Sequence, residues 1–352
     1  MALSACCGGV AAGLAADAAK ATACDSKVTL SKFGLEGEGC IRNSQWLASI
    51  TVPCKQSLLV PALFYDTTDK KICQLKTVAT GTFGAIDVAQ RIDASGASNV
   101  FVKKPRIAGR SLLYEALLQD KVQQSLEKGG FPTGAPRVHD IFKLRDGSVC
   151  FTMELIEAAE TLETVLASAA DGDLATILVE ALLQVCAMIW HLETALGMNH
   201  RDLKPSNLLV RRHAPVARTL VIGERRLEIE SRFTITFIDF GFSCMGSAVT
   251  QKADIALSTV YAASDPCPKQ GRDMYSFLAF IYAELWNRLP ADFACLFENW
   301  LHVPGAKMTG FLRKNKTAAK DWIYFLTGNV DIKAFDCCPC RIVGDLEGFL
   351  GG

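Results

Sequence analysis

The run His200-Arg201-Asp202-Leu203-Lys204-Pro205-Ser206-Asn207 constrains this chain more than any other stretch. It confines a carboxylate, an ammonium and an amide to a few residues. The apolar run Leu208, Leu209, Val210 follows at once and reads as a buried strand. Such a set suits phosphoryl transfer. Asp202 can accept the proton of an attacking hydroxyl, Asn207 can hold a metal ion, and Lys204 can neutralise charge on the moving group.

Bulk properties narrow the setting. A chain of 352 residues suits one large domain or a two-lobed unit, and a hydrophobic share of 50% allows a sizeable core. Lys and Arg number 37, as do Asp and Glu, so the net charge is zero. That balance argues against a nucleic-acid partner and against a polybasic membrane patch. The 14 cysteines are irregularly spaced, with no paired Cys-x-x-Cys set and histidine partners. Free thiols in a reducing, intracellular compartment are the expectation. The cluster Cys337-Cys338-Pro339-Cys340 lacks a matching ligand set. Residues Ala2 to Ala23 are apolar and small, but no basic region precedes them, and Asp17 and Lys20 interrupt them. No signal peptide is expected. No run of about 18 apolar residues suggests a membrane span, and Leu278 to Trp286 suits a buried core helix.

The pattern changes along the chain. Residues 1–25 read as a flexible Ala/Cys-rich extension, and 26–70, with strand-like pieces at Trp46–Val52 and Leu58–Tyr65, have no assignable role. Val78–Gly84 and Ala85–Gln90 read as a hairpin, Val100–Lys104 as a third strand and Val149–Ile156 as another. Between them, Leu112, Leu113, Ala116, Leu117 and Val122 recur at helical spacing over Ser111–Leu126. Helical spacing returns over Leu174–Leu196. A strand, Phe233–Ile238, ends at Asp239-Phe240-Gly241, and helices follow. Thr219–Ile222 and Arg226–Ile229, around Gly223, suit a surface hairpin. Strands first and helices after suggest an α+β chain of two lobes, whose cleft is a usual home for a nucleotide.

These motifs together resemble the eukaryotic-type serine/threonine protein kinases, over about residues 75–330. The divergent details are similar to outlying members, including some encoded by large DNA viruses. The resemblance implies a two-lobed kinase-like fold, with a β-rich N-lobe at 71–156, a helical C-lobe at 157–335 and a Cys-containing tail at 336–352. It implies ATP and Mg²⁺ as cofactors and a protein hydroxyl as acceptor. Asp202 would be the base, with Lys204 and Asn207 beside it. Asn207 and Asp239 would hold the metal. Lys204, two residues after Asp202, favours Ser/Thr over Tyr acceptors.

The same resemblance distributes the nucleotide contacts. Val78, Gly81, Gly84 and Ile86 would cover it from the Gly-containing turn, where the family's first glycine is Ala79. Met153 would lie behind it, the backbone of Glu154 and Ile156 would meet adenine, Glu160 would reach the ribose, and Leu209 would also touch the nucleotide. A strand lysine would reach the phosphates, set by Glu115 on the following helix. Lys103 and Lys104 both qualify. Lys104 is favoured because it shares a face with the small Val102, whereas Phe101 would crowd the base beside Lys103. Asp273 would anchor the loop backbone. Asp265 stands where the family carries a glutamate, and Asp254 is placed to act as a built-in anion for Arg201. Two further readings remain open: a pseudokinase scaffold with the same fold, and a small-molecule phosphotransferase.

Overall fold

The computed structural model describes residues 40–41, 76–80, 84–93, 96–143, 146–258, 260–303 and 308–349. The extension at 1–25, nearly all of 26–70, and Gly81 lie outside them. The chain clusters into two compact units. The first comprises residues up to Gln124, Pro136–Ile156 and Asp254–Leu257; the second comprises Ser125–Ala135, Glu157–Ala253 and Ser258–Gly352. Strands dominate the first and helices the second, so the architecture is mixed α+β.

In the first unit, β1 (Lys76–Thr80), β2 (Gly84–Asp93), β3 (Gly96–Pro105), β4 (Val138–Lys143) and β5 (Val149–Glu154) form one antiparallel sheet. Its order is β1-β2-β3-β5-β4. Helix α1 (Leu113–Lys128) follows β3. Its Leu113, Leu117 and Leu118 are buried, as are Val100, Val102 and Phe151 of the sheet. Strand β4 was not foreseen. Its Asp140 is fully buried and accepts a hydrogen bond from Thr152 Oγ1 at 2.9 Å, so a satisfied charge breaks the apolar alternation that would mark a strand.

From Glu157 onward the second unit runs through β6 (Ala159–Thr161) and α2 (Leu162–Ser168), capped by Thr161, whose Oγ1 accepts from Thr164 N at 3.2 Å. Helix α3 (Asp171–Leu196) is long and apolar enough to cross a membrane by length and composition, yet 67% of its most apolar window is buried within the protein. It serves as the core helix of the unit. Gly197 ends it at φ 57°, and a Cβ there would lie 2.0 Å from Gly246 O, so no other residue fits.

Strand β7 (Met198–Asn199) leads into the polar loop. After the loop, β8 (Leu208–Ile222) and β9 (Arg225–Phe237) form one long hairpin, paired from Leu208↔Phe237 to Ile222↔Arg225. The sequence suggested its tip as a hairpin and its two ends, Leu208–Val210 and Phe233–Ile238, only as separate strands. The register shifts between Ser231 and Phe233, and the buried carboxylate of Glu180 on α3 meets that bulge. It accepts from Arg232 N at 2.8 Å, Phe233 N at 3.2 Å and Ser231 Oγ at 2.9 Å. Strand β10 (Cys244–Gly246) pairs with β7.

Among the described residues, the helices α4 (Arg272–Leu285), α5 (Ala291–Trp300), α6 (Met308–Lys314), α7 (Lys316–Gly328) and α8 (Pro339–Leu346) follow in this unit. Cys244 of β10 and Cys267 form a disulfide. This corrects the expectation of free thiols throughout. The two lie 23 residues apart, so only the fold reveals the pairing. Cys150, Cys186, Cys295, Cys337, Cys338 and Cys340 are free thiols.

Candidate active site

In the second unit, Asp273 in the first turn of α4 fixes the polar loop by its backbone. Its two carboxylate oxygens accept from His200 N at 2.7 Å and Arg201 N at 2.8 Å. That grip holds Arg201 at φ 66°, a left-handed conformation that costs a non-glycine residue roughly 1–2 kcal/mol. His200 donates from Nε2 to Ile238 O at 3.0 Å, and Ile238 N donates to Asn207 O at 3.0 Å. The chain just before Asp239 is thereby tied to both ends of the loop. Asp239 is also left-handed, at φ 64°.

The buried Asp202 is held from several sides. Lys204 Nζ donates to both carboxylate oxygens at 2.9 Å. Asn207 Nδ2 donates to Oδ2 at 2.9 Å and to the Asp202 carbonyl at 2.8 Å. Tyr324 of α7 donates its hydroxyl to Oδ1. No motif marked this tyrosine; it lies on a helix far along the chain. Burial, then the charge of Asp202, holds its phenol well above the ordinary value, so it remains a donor.

With its nitrogen committed to Asp202, Asn207 keeps its amide oxygen for a cation. Asp239, just past the end of the strand bonded to Asn207, carries the second hard oxygen donor nearby. Two protein oxygens, completed by phosphate and water, are what Mg²⁺ usually takes, so the residues fit that ion. Leu209 and Glu160 lie in the small sheet β9-β8-β6: Leu209 is half-buried and pairs with Thr161, and Glu160 is exposed and pairs with Val210.

A second cluster backs the loop. Asp265 is fully buried and accepts from Arg272 Nη2 at 2.6 and 2.7 Å, from Arg201 Nη2 at 2.9 Å, and pairs with Lys269 Nζ at 3.0 Å. Arg201 also stacks over Tyr261, whose hydroxyl donates to Arg201 O at 2.7 Å. Burial, then the charge of Arg272, lowers Lys269 to about 8 and Arg201 to about 10. The anion on Arg201 is thus Asp265, not the expected Asp254. A deeply buried guanidinium needs a carboxylate at contact distance, and Asp265 fills that place.

In the first unit, the lysine is resolved differently from the expectation. Lys103 forms the ion pair with Glu115 of α1, both about 5% exposed. Lys104 pairs with Asp87 at 2.7 Å and is about a third exposed. The sheet register explains the correction. Ile86 lies opposite Lys103, and Phe151 flanks it on β5, so these three share a face. Lys104 lies opposite Ala85 and shares the other face with Val102 and Asp87. Weighing the bulk of Phe101 picked the wrong face.

Gly84 opens β2, and a Cβ on it would lie 2.7 Å from Lys104 O and 3.5 Å from Lys103 Cε. Lys103's stem therefore runs past a position where only glycine fits. Val78 lies in β1. Glu154 ends β5, its N donating to Arg137 O at 2.8 Å, and Ile156 is buried.

No protein-family model matches the sequence, and no curated protein does. Solved structures resemble it at low identity. A crystallised kinase domain is 14% identical, covering 82% of this chain and 96% of its own, with a TM-score of 0.38. WaaP in complex with acyl carrier protein is 15% identical, covering 77% of this chain and 97% of its own, with a TM-score of 0.39.

Proposed function

We propose that this chain is an ATP-dependent protein kinase that transfers the γ-phosphoryl group to Ser or Thr hydroxyls. One observation carries the reading: a buried carboxylate, Asp202, is held by Lys204 and Asn207 beside the strand end that bears Asp239. The buried Lys103–Glu115 pair supports it, because a lysine fixed by a helix glutamate is a recurring phosphate ligand of kinases.

Each residue then has a task. Asp202 orients the acceptor hydroxyl and takes its proton. General base catalysis of this kind contributes roughly 10²–10⁴-fold. Lys204 moves its ammonium from Asp202 to the phosphoryl oxygens as their charge develops. Asn207 and Asp239 would hold Mg²⁺, which supplies charge neutralisation on the phosphates. Lys103 meets the phosphates, set by Glu115, while Gly84 admits the lysine stem. Ile86, on the same face, covers the base. Lys204 at its position after Asp202 supports a Ser/Thr acceptor over tyrosine.

The test is phosphate transfer from labelled ATP to a generic acceptor protein and to the chain itself. Asp202→Ala should abolish transfer while nucleotide binding, followed by a fluorescent ATP analogue, survives. Full transfer by Asp202→Ala, or none by the wild type, would refute the assignment.

A further inference from the structure

We propose that Tyr324 is a positioning residue for Asp202, an inference that rests on the phosphotransfer reading above. A carboxylate offers about four lone-pair positions. On Asp202 all four are in use: Lys204 takes one on each oxygen, Asn207 one on Oδ2 and Tyr324 one on Oδ1. An acceptor hydroxyl needs one of them, so one donor must leave.

The surroundings decide which. Lys204 Nζ ends a flexible chain that is 20% exposed, and its donors go to Asp202 and, at 3.3 Å, to the Tyr324 oxygen. A developing phosphoryl charge offers that ammonium a stronger partner. Tyr324 has only two rotatable side-chain bonds and sits well inside the 13-residue helix α7. Its ring lies parallel to Phe242, with centroids 6.3 Å apart and planes at 14°, and meets Phe280 edge-on at 6.0 Å. Moving it would break both contacts.

Lys204 is therefore the donor that departs. Tyr324 and Asn207 stay, one on each oxygen, and hold the carboxylate plane while the hydroxyl takes the vacated position on Oδ1. A misplacement of about 1 Å at a reacting group costs on the order of 10²-fold in rate. Helix α7 thus supplies a clamp for the base from a part of the chain with no motif of its own.

The test uses the full chain carrying Tyr324→Phe, which keeps the ring and its aromatic contacts. Initial rates are measured against ATP and against casein as acceptor. The expected result is a kcat lowered by roughly 10–100-fold, with the KM for ATP and the melting temperature unchanged. An unchanged kcat overturns the proposal. A raised kcat also overturns it, since Tyr324 would then be a plug on the base. A fall in kcat matched by a lowered melting temperature overturns it too, because the role would be structural. A wild type that transfers no phosphate overturns the kinase reading, and this inference with it; an active wild type with an unaltered variant overturns the inference alone.

Discussion

Replacing Asp265 by Asn removes one charge and almost no volume, and the structure sets a large cost on it. Asp265 faces Arg201, Lys269 and Arg272, and all four side chains are at most about 2% exposed. Removing one partner of a buried pair costs about 3–5 kcal/mol, because the other charge is left without compensation. Here three cations lose their common anion, so a loss near the top of that range, about 5 kcal/mol, is expected. Domains are stable by about 5–15 kcal/mol, so the variant forfeits a third or more of the total. In a unit of this size each kcal/mol moves the melting temperature by about 2–4 °C, giving a fall of about 10–20 °C. Urea unfolding at pH 7 measures the same loss at constant temperature. Adding Arg272→Met to Asp265→Asn should recover part of it, because one uncompensated cation is removed. By contrast Glu228→Ala, which breaks the exposed pair with Arg226, should leave the midpoint where it was. If Asp265→Asn lies within about 1 kcal/mol of wild type, the account of this cluster is wrong.

Three further predictions test other parts of the molecule. Lys103→Met should reduce phosphate transfer by at least about 10²-fold, while Lys104→Met should retain it within a few-fold; the reverse order in a labelled-ATP assay would reinstate Lys104. Gly84→Ala should distort the start of β2 where it pairs with β3, since its methyl would lie 2.7 Å from Lys104 O; a variant with unaltered melting and transfer would contradict that. Burial, then the charge of Asp273, pushes Glu193 up to about 8. A carboxyl raised on folding stabilises at low pH, and that contribution disappears as pH climbs through its folded value. The wild-type melting temperature should therefore fall between about pH 5 and 8, and Glu193→Gln should flatten the slope. Asp120, raised by burial to about 7, acts in the same direction and leaves a residual slope.

The site was legible where chemistry and chain order coincide. His200 to Asn207 and Asp239 were readable because a short polar loop and a strand end carry their own context. Glu115 stood out as a carboxylate in an apolar helix. The lysine failed because alternation gives two faces but not which one meets the helix; only the register with Ile86 and Phe151 decides. Asp265 was recognised as a variant position, but its partners Arg201, Lys269 and Arg272 meet it only in the folded chain, as does the Cys244–Cys267 pair. Tyr324 carried no local signal at all. Strand β4 and the full length of the β8/β9 hairpin were missed for one shared reason. Buried Asp140 in one, and many exposed apolar and charged residues in the other, blur the two-residue period.

The β8/β9 hairpin has a consequence for how this chain can vary. Asn207 and Asp239 stand at its open end, and Gly223 lies at its closed end. Pairing from Leu208↔Phe237 upward sets the spacing of the open end by register, and Glu180 pins the one irregularity from α3. Residues added or removed in matched numbers at the Gly223 end leave every lower rung in place. A long segment between these two residues is thus compatible with an undisturbed spacing of Asn207 and Asp239. The same geometry makes the exposed Glu224, rather than Gly223, which packs against Cys340 and Trp190, the place to graft a tag or a reporter loop, while a single-residue insertion near Val210 or Ile235 would turn the strand over and separate Asn207 from Asp239.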